Sequence, residues 1–239
     1  MFENKTMKLS LVIPCYNEAR NIPLVLKRFA AVLTRKDVEL ILVNNGSKDD
    51  SAQVLAEQTP QFPFAKVVTV DVNQGYGFGI LSGLQEAQGE FLSWTHADLQ
   101  TDPRDALRAL EVIESSSRPE RTFVKGLRKN RPLRDTVFTV GMSIFETLYL
   151  RTVLWDINAQ PNIFPRSLFA EWQNPPKDFS LDLYALYMAK KQGLDIVRLP
   201  VVFPERIHGQ SSWDTDLRAK WKFIDRTLRY SIRLKRELL

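Results

Sequence analysis

The chain has 239 residues, 44% of them hydrophobic, and a formal net charge of +5 from 33 basic and 28 acidic side chains, which suits one large α/β domain with an elaborated second half and excludes a small stapled module. No stretch approaches the roughly 20 apolar residues that cross a bilayer, residues 1–8 lack the apolar core of a secretory signal, and Cys15 is the single cysteine, so there is no internal disulfide and the expected location is the cytoplasm. The isoelectric point near 9.3 comes with neither zinc-ligand spacing nor a base-reading helix, so a nucleic-acid partner is not expected.

Leu9 to Pro14 is a short apolar run stopped by a proline, and Glu18 to Leu33 follows with Ile22, Leu26, Phe29 and Leu33 at the period of a helix. Val38 to Val43 repeats the strand, Asn44-Asn45-Gly46 breaks it, and Ser47 with Asp50 three residues on has the spacing of a capping box. Val67 to Val72 predicts a third strand, Asn73 to Gln88 a glycine-rich turn and helix, and Phe91 to Trp94 a fourth strand. Strands alternating with helices predict a mostly parallel sheet covered on both faces. Cys15 reads as a packed small hydrophobe, and two histidines in all leave no attractive Ser-His-Asp or Cys-His arrangement.

Two places along this half suggest chemistry. Gly75, Gly77 and Gly79 either let backbone approach a phosphate at a helix N-terminus or permit tight packing; the order is neither a P-loop nor a full GxGxxG. His96, Asp98 and Gln100 follow the fourth strand and alternate, so that all three can face one cation of the kind that neutralises a diphosphate, outside the carboxyl end of a strand.

The second half is more basic. Arg121, Lys125, Arg128, Lys129, Arg131 and Arg134 form a run without an acid, read either as a positive field suited to phosphate or as a solvated loop. Asp182 heads the helix-rich stretch Phe179 to Gln192 among apolar neighbours, where a carboxylate needs a partner such as an arginine, or a task. From Trp213 to Leu239 eight basic residues face four acidic ones, and Leu217, Trp221, Ile224, Leu228 and Ile232 mark the apolar stripe of a C-terminal amphipathic helix with Arg218, Lys222, Arg229, Arg233 and Arg236 beside it. Such a helix suits either an anionic membrane surface or packing on the domain.

In order and spacing, Val12-Ile13-Pro14-Cys15-Tyr16-Asn17-Glu18, Val43-Asn44-Asn45-Gly46-Ser47-Lys48-Asp49, Asn73 to Gly89, His96-Ala97-Asp98-Leu99-Gln100 and Arg206-Ile207-His208-Gly209-Gln210-Ser211 resemble the family-2 glycosyltransferases of the GT-A fold. Within these the likeness is to polyisoprenyl-phosphate sugar transferases of the dolichyl-phosphate mannose synthase type, over roughly residues 8–213. The resemblance implies a GT-A (Rossmann-like) domain over residues 1–212, with a nucleotide-sugar half (8–100) and an acceptor half (101–212), followed by the basic amphipathic helix at 213–239. It implies nucleotide-sugar contacts at Pro14, Tyr16, Asn17, Glu18, Asn44, Gly75, Gly79, His96 and Ala97, and a divalent metal at His96, Asp98 and Gln100. His96 and Asn44 stand where the family usually has Asp. The first removes an anionic ligand and favours Mn2+ over Mg2+, and the second exchanges a base-binding carboxylate for an amide.

On the acceptor side the resemblance implies Arg128 and Arg134 as a phosphate clamp, Asp156 and Gln160 near the sugar, and Arg206, His208 and Ser211 at diphosphate or acceptor phosphate. Tyr184 replaces a further acid on the Asp182 helix, and Ser212 replaces a lysine. The expected reaction is inverting, metal-assisted displacement at the anomeric carbon, with Asp98, Asp182 and Arg206 as the catalytic set and polyprenyl phosphate or a lipid-linked saccharide as acceptor. The alternatives are extension of a saccharide in cell-surface polysaccharide or glycolipid synthesis and a non-catalytic nucleotide-sugar-binding module. The enzyme is expected at the inner face of a membrane, held peripherally or by a membrane-protein partner.

Overall fold

The computed structural model describes residues 6–129, 133–203 and 217–238, with side chains undescribed at 133–135, 138, 217–223 and 238. Strands β1 (Leu9–Cys15), β2 (Val38–Asn45), β3 (Ala65–Val70), β4 (Phe91–Trp94), β5 (Thr122–Lys129), β6 (Asn162–Pro165) and β7 (Asp195–Val202) join in one sheet of order β3-β2-β1-β4-β6-β5-β7. β6 runs against β4 and β5, and the other pairings are parallel. The mostly parallel sheet covered on both faces, expected from the sequence, is therefore present.

Alternation of side chains decides which helices cover which face. Val12, Ile41, Val43, Leu92, Trp94 and Phe164 point to one side, where α3 (Tyr76–Gln85), α7 (Leu181–Lys191) and the end of α8 (Leu217–Leu238) pack. Leu11, Ile13, Leu40 and Leu42 point to the other, against α1 (Ile22–Val32) and α2 (Ser51–Gln58), while Leu9, Phe91, Val124 and Ile163 meet α4 (Pro103–Glu114). β1 and β2 are almost wholly buried, which explains their near-continuous apolar sequences. α5 (Leu133–Leu150) and the short α6 (Arg166–Ala170) flank the second half.

Several element boundaries move for local reasons. The first helix begins at Ile22, not Glu18, because Asn17 takes a positive φ of 57° and residues 18–21 form a turn on the Glu18 carbonyl before Pro23 opens the helix. The third strand is Ala65–Val70, earlier than the apolar run suggests, and the following helix stops at Gln85. Ser47 caps nothing. α2 starts at Ser51, and its N-cap Asp50 makes no capping bond. α4 shows the expected chemistry instead: the Asp102 side chain accepts from the Arg104 amide, with Pro103 in the first turn.

The C-terminal helix forms, but its packed face is turned from the predicted stripe. Tyr230, Ser231 and Leu234 are buried while Ile232 is 40% exposed. Ser231 Oγ donates to Glu146 of α5 and Lys235 Nζ to the Tyr149 carbonyl, so polar partners on α5 set the rotation. Among the described residues no helix is long and apolar enough to cross a membrane.

Candidate active site

The carboxyl ends of β1 and β2 are stitched together by short side chains. The Asn17 amide donates to Ser47 Oγ (3.1 Å) and the Lys48 amide to Asn17 Oδ1 (2.8 Å). Glu18 N–H reaches Ser51 Oγ, and Ala19 N–H reaches Asp49 Oδ2. Burial acts to raise the Asp49 carboxyl, but hydrogen bonds from Ser51 and Ala19 outweigh it and hold the group below its ordinary value. Asn44 is buried and its Oδ1 accepts from the Ser47 amide. The result is a fixed rim on which Tyr16 and Asn17 remain exposed, with Glu18 half-buried and bonded to Asn21. Pro14 lies half-buried at the last turn of β1, paired with Val43. Cys15 is fully buried and burial pushes its thiol far up, as a packed hydrophobe requires.

The glycine-rich turn is closely packed. A Cβ on Gly75 would lie 2.4 Å from the Lys177 carbonyl oxygen, one on Gly77 2.6 Å from the carbonyls of Pro176 and Asp178, and one on Gly79 2.8 Å from the Asn45 amide. The Phe78 amide, in the first turn of α3, already donates to Lys177 O. Gly75 and Gly79, expected at a nucleotide, serve close approach of segment 176–178 and of β2. Gly75 also needs its φ of 116°.

The β4 end departs from the expected alternation. The strand stops at Trp94 and Leu99 adopts a φ of 62°, so His96, Asp98 and Gln100 sit on an irregular loop and do not line one face by strand period. The His96 ring stacks on Tyr76 at 5.5 Å, with Nε2 3.5 Å from the Tyr76 hydroxyl, and Tyr76 stacks in turn on Phe179 at 4.6 Å. Asp98 is buried and one of its oxygens accepts from the Gln100 amide (3.1 Å). Ala97, expected at the sugar nucleotide, puts its methyl into the core with Leu99 and Ala106. Among the described residues no three His, Cys, Asp or Glu side chains form a metal cage, so this loop offers a carboxylate and an imidazole rather than a complete ligand set.

Residues that sequence reasoning spread over the acceptor side form two internal clusters. Arg128 grips Asp156 through its backbone amide and through Nε and Nη2, at 2.8, 2.8 and 2.5 Å, with both side chains nearly buried. Burial acts to raise the Asp156 carboxyl, and the Arg128 charge and bonds more than reverse it. Arg128 and Asp156, expected at acceptor phosphate and sugar, thus bond each other. The second cluster surrounds Asp182. Its Oδ1 accepts from Gln160 Nε2 (2.8 Å), Asn162 Nδ2 (2.9 Å) and Trp94 Nε1 (3.2 Å). Gln160 is fully buried and its Oε1 accepts from Asn162, so both ends of its amide are engaged internally.

The basic run divides in the same way. Lys125 is fully buried, and Arg121 donates to the carbonyls of Gln192 and Gly193, so half of the predicted positive field is structural. Arg206, His208 and Ser211 lie outside the described residues, as does the side chain of Arg134.

Tyr76 joins the two halves. Burial pushes its phenol well above the ordinary range, and the Asp182 and Asp98 carboxylates push it further. The two acids, 84 positions apart in the chain, therefore act on one hydroxyl at the end of β4. Sequence reasoning missed Tyr76, Trp94, Asn162 and the internal use of Lys125. The signal available for Tyr76 was an aromatic flanked by two glycines at a helix start.

The sequence profile of the family described as glycosyl transferase family 2 matches residues 10–162. An undecaprenyl-phosphate 4-deoxy-4-formamido-L-arabinose transferase from Sodalis glossinidius is 37% identical over 218 residues, 87% of this chain and 64% of that protein. The transferase of that name from Yersinia enterocolitica is 34% identical over 114 residues, 46% of this chain and 35% of its own length. The chain thus spans between about a third and under two thirds of these relatives. Glucosyl-3-phosphoglycerate synthase from Mycobacterium tuberculosis, solved with Mn2+, UDP and glucosyl-3-phosphoglycerate, superposes with a TM-score of 0.73 at 18% identity, covering 96% of this chain and 80% of that one. The same enzyme with Mn2+ and UDP-glucose gives 0.72 at 19% identity over 94% of this chain and 79% of that one. That likeness establishes the shared fold, and the profile match over most of the sheet establishes that this chain belongs to glycosyl transferase family 2.

Proposed function

We propose that this chain transfers a sugar from a nucleotide-sugar to a polyprenyl phosphate, with inversion at the anomeric carbon and with a divalent metal at the β4 end. The observation that carries the reading is the cluster at the end of β4, where the His96 ring of the Asp98 loop stacks on Tyr76 and Trp94 bonds Asp182, beside the exposed rim of Tyr16 and Asn17. Support for the acceptor comes from the undecaprenyl-phosphate transferases at 34–37% identity, and support for donor and metal from the UDP and Mn2+ in the structural neighbours. In this reading Pro14, Tyr16, Asn17, Glu18 and Asn44 border the nucleoside. Asp98, with His96 beside it, fits a divalent ion only in part, the remaining ligands coming from the donor diphosphate. Bound there, such an ion supplies positive charge to the departing diphosphate, and an imidazole neighbour suits Mn2+ better than Mg2+.

The chain's own residues do the rest by position. A phosphate acceptor is already ionised near neutral pH, so it needs placement more than deprotonation. Asp182, held through Oδ1, then serves as a fixed negative charge near Tyr76. Arg134, Arg206, His208 and Ser211 are assigned to the phosphates, Arg206 between diphosphate and acceptor. The exposed Arg229, Arg233 and Arg236 of α8 are assigned to an anionic membrane surface.

A panel of UDP-, GDP- and dTDP-sugars with Mn2+ or Mg2+, offered polyprenyl phosphate and lipid-linked saccharides, tests this. Product on polyprenyl phosphate, faster with Mn2+, is expected. Product on saccharide alone would move the acceptor assignment, and intact donor binding without any turnover would make the chain a nucleotide-sugar-binding module.

A further inference from the structure

A buried polar chain runs from β5 to α7, and donor chemistry leaves its direction a single solution. Lys125, fully buried, donates Nζ to Asn162 Oδ1 (2.5 Å) and to the Ala159 carbonyl (3.1 Å). With Oδ1 taken by an amine, the Asn162 amide must present Nδ2 on its other side, where it donates to Gln160 Oε1 and Asp182 Oδ1, both at 2.9 Å. Gln160, its Oε1 now occupied, must turn Nε2 to the same carboxylate oxygen at 2.8 Å. The Trp94 indole, a donor only, closes the set at 3.2 Å. Flipping Asn162 would place N–H against the amine and carbonyl against the carboxylate, and flipping Gln160 would place its carbonyl against the carboxylate and its N–H against the Asn162 N–H, so the end groups fix every member.

We propose that Lys125 is a positioning residue, which through Asn162 and Gln160 delivers amide donors to one oxygen of Asp182 and so fixes that carboxylate's direction beside Tyr76. The proposal rests on the reading of Asp182 as part of the active site. It adds a role for a lysine that touches no substrate.

The network holds in either charge state of the lysine. Burial pushes the Lys125 ammonium down to about 7; Asp182 on α7 and Asp156 before β6 oppose this, while Arg198 on β7 and Arg128 on β5 add to it. A neutral amine keeps two N–H groups, matching its two acceptors, so the bonds persist while the charge near Asp182 changes.

The Trp94 indole N–H reports on this directly, because it bonds the same oxygen. Its 1H–15N resonance, assigned with Trp94→Phe, is followed against pH in the full-length protein alongside transfer kinetics. Wild type should show a step centred at about 7, absent from Lys125→Met. The kcat of Lys125→Met should fall about tenfold with donor KM little changed, Asn162→Leu should match it, and the double variant should lose nothing further. Lys125→Gln, which keeps an N–H, should recover part of kcat. Persistence of the step in Lys125→Met, or losses that multiply in the double variant, would overturn the proposal. Should Lys125→Met fail to fold, Lys125→Gln and Asn162→Leu carry the same readouts. A wild type without sugar transfer would sink the functional reading alone, since the indole step decides the positioning role independently.

Discussion

The two ends of the sheet use polar residues in opposite ways. At the tips of β1 and β2, short side chains such as Ser47, Ser51, Asn17 and Asp49 serve backbone amides and leave a rim open to solvent. Beyond β4, long charged side chains bond one another in the interior, Arg128 to Asp156 and Lys125 through Asn162 toward Asp182. Loop amides need only small local acceptors, whereas a buried charge must find a partner or be strongly penalised. The difference teaches that three members of the basic run, Arg121, Lys125 and Arg128, are engaged internally, while the rim left open to solvent is built from short side chains.

Breaking the internal pairs should cost most. Arg128→Ala leaves the Asp156 carboxylate buried and unpaired, and thermal or urea unfolding should register a loss of about 3–5 kcal/mol. Because the folded Asp156 carboxyl sits below its ordinary value, its stabilisation is full above the unfolded pKa and disappears as pH falls through the folded one. An acid titration of stability should therefore be less steep in Asp156→Asn. Normal stability with a raised acceptor KM in Arg128→Ala would restore the clamp reading.

Next comes the loop after β4. Asp98→Ala should lower kcat by roughly 100- to 1,000-fold while its unfolding midpoint stays close to wild type. Gly77→Ala tests the packing role of the glycine-rich turn: a methyl 2.6 Å from two backbone carbonyls should destabilise by about 1–3 kcal/mol, and donor affinity in the folded fraction should not change. The last prediction concerns the α5–α8 contact, where the effect is spread over a pH range. Burial raises Glu146 to about 7, so the folded state holds its proton more tightly than the unfolded chain. Stability from this group is greatest at acid pH and declines as pH rises toward 7, by at most about 1.4 kcal/mol per pH unit. Glu146→Gln should flatten that slope in denaturant titrations between about pH 4 and 8, a window spanning both values.

Much of the fold was legible because β1, β2 and β4 are buried on both faces and read as apolar runs between glycine or proline breaks. β6 and β7 were not legible: Asn162–Pro165 is four residues long, and β7 alternates between half-buried and exposed positions at the sheet edge. In the site, order and spacing alone singled out the loops and Asp98. The error at His96, Asp98 and Gln100 came from extending strand period past Trp94 into a loop with a left-handed residue. The pairing of Arg128 with Asp156 was not legible, since 28 residues separate partners that the pairing of β5 with β6 brings near.

Steady-state transfer to polyprenyl phosphate by Asp98→Ala and Arg128→Ala, each normalised to its folded fraction at one temperature, tests this division most directly. The account predicts a folded, nearly inactive Asp98→Ala and an unstable Arg128→Ala whose folded molecules keep wild-type kcat and acceptor KM. An active Asp98→Ala together with a stable Arg128→Ala that has lost acceptor affinity would contradict it.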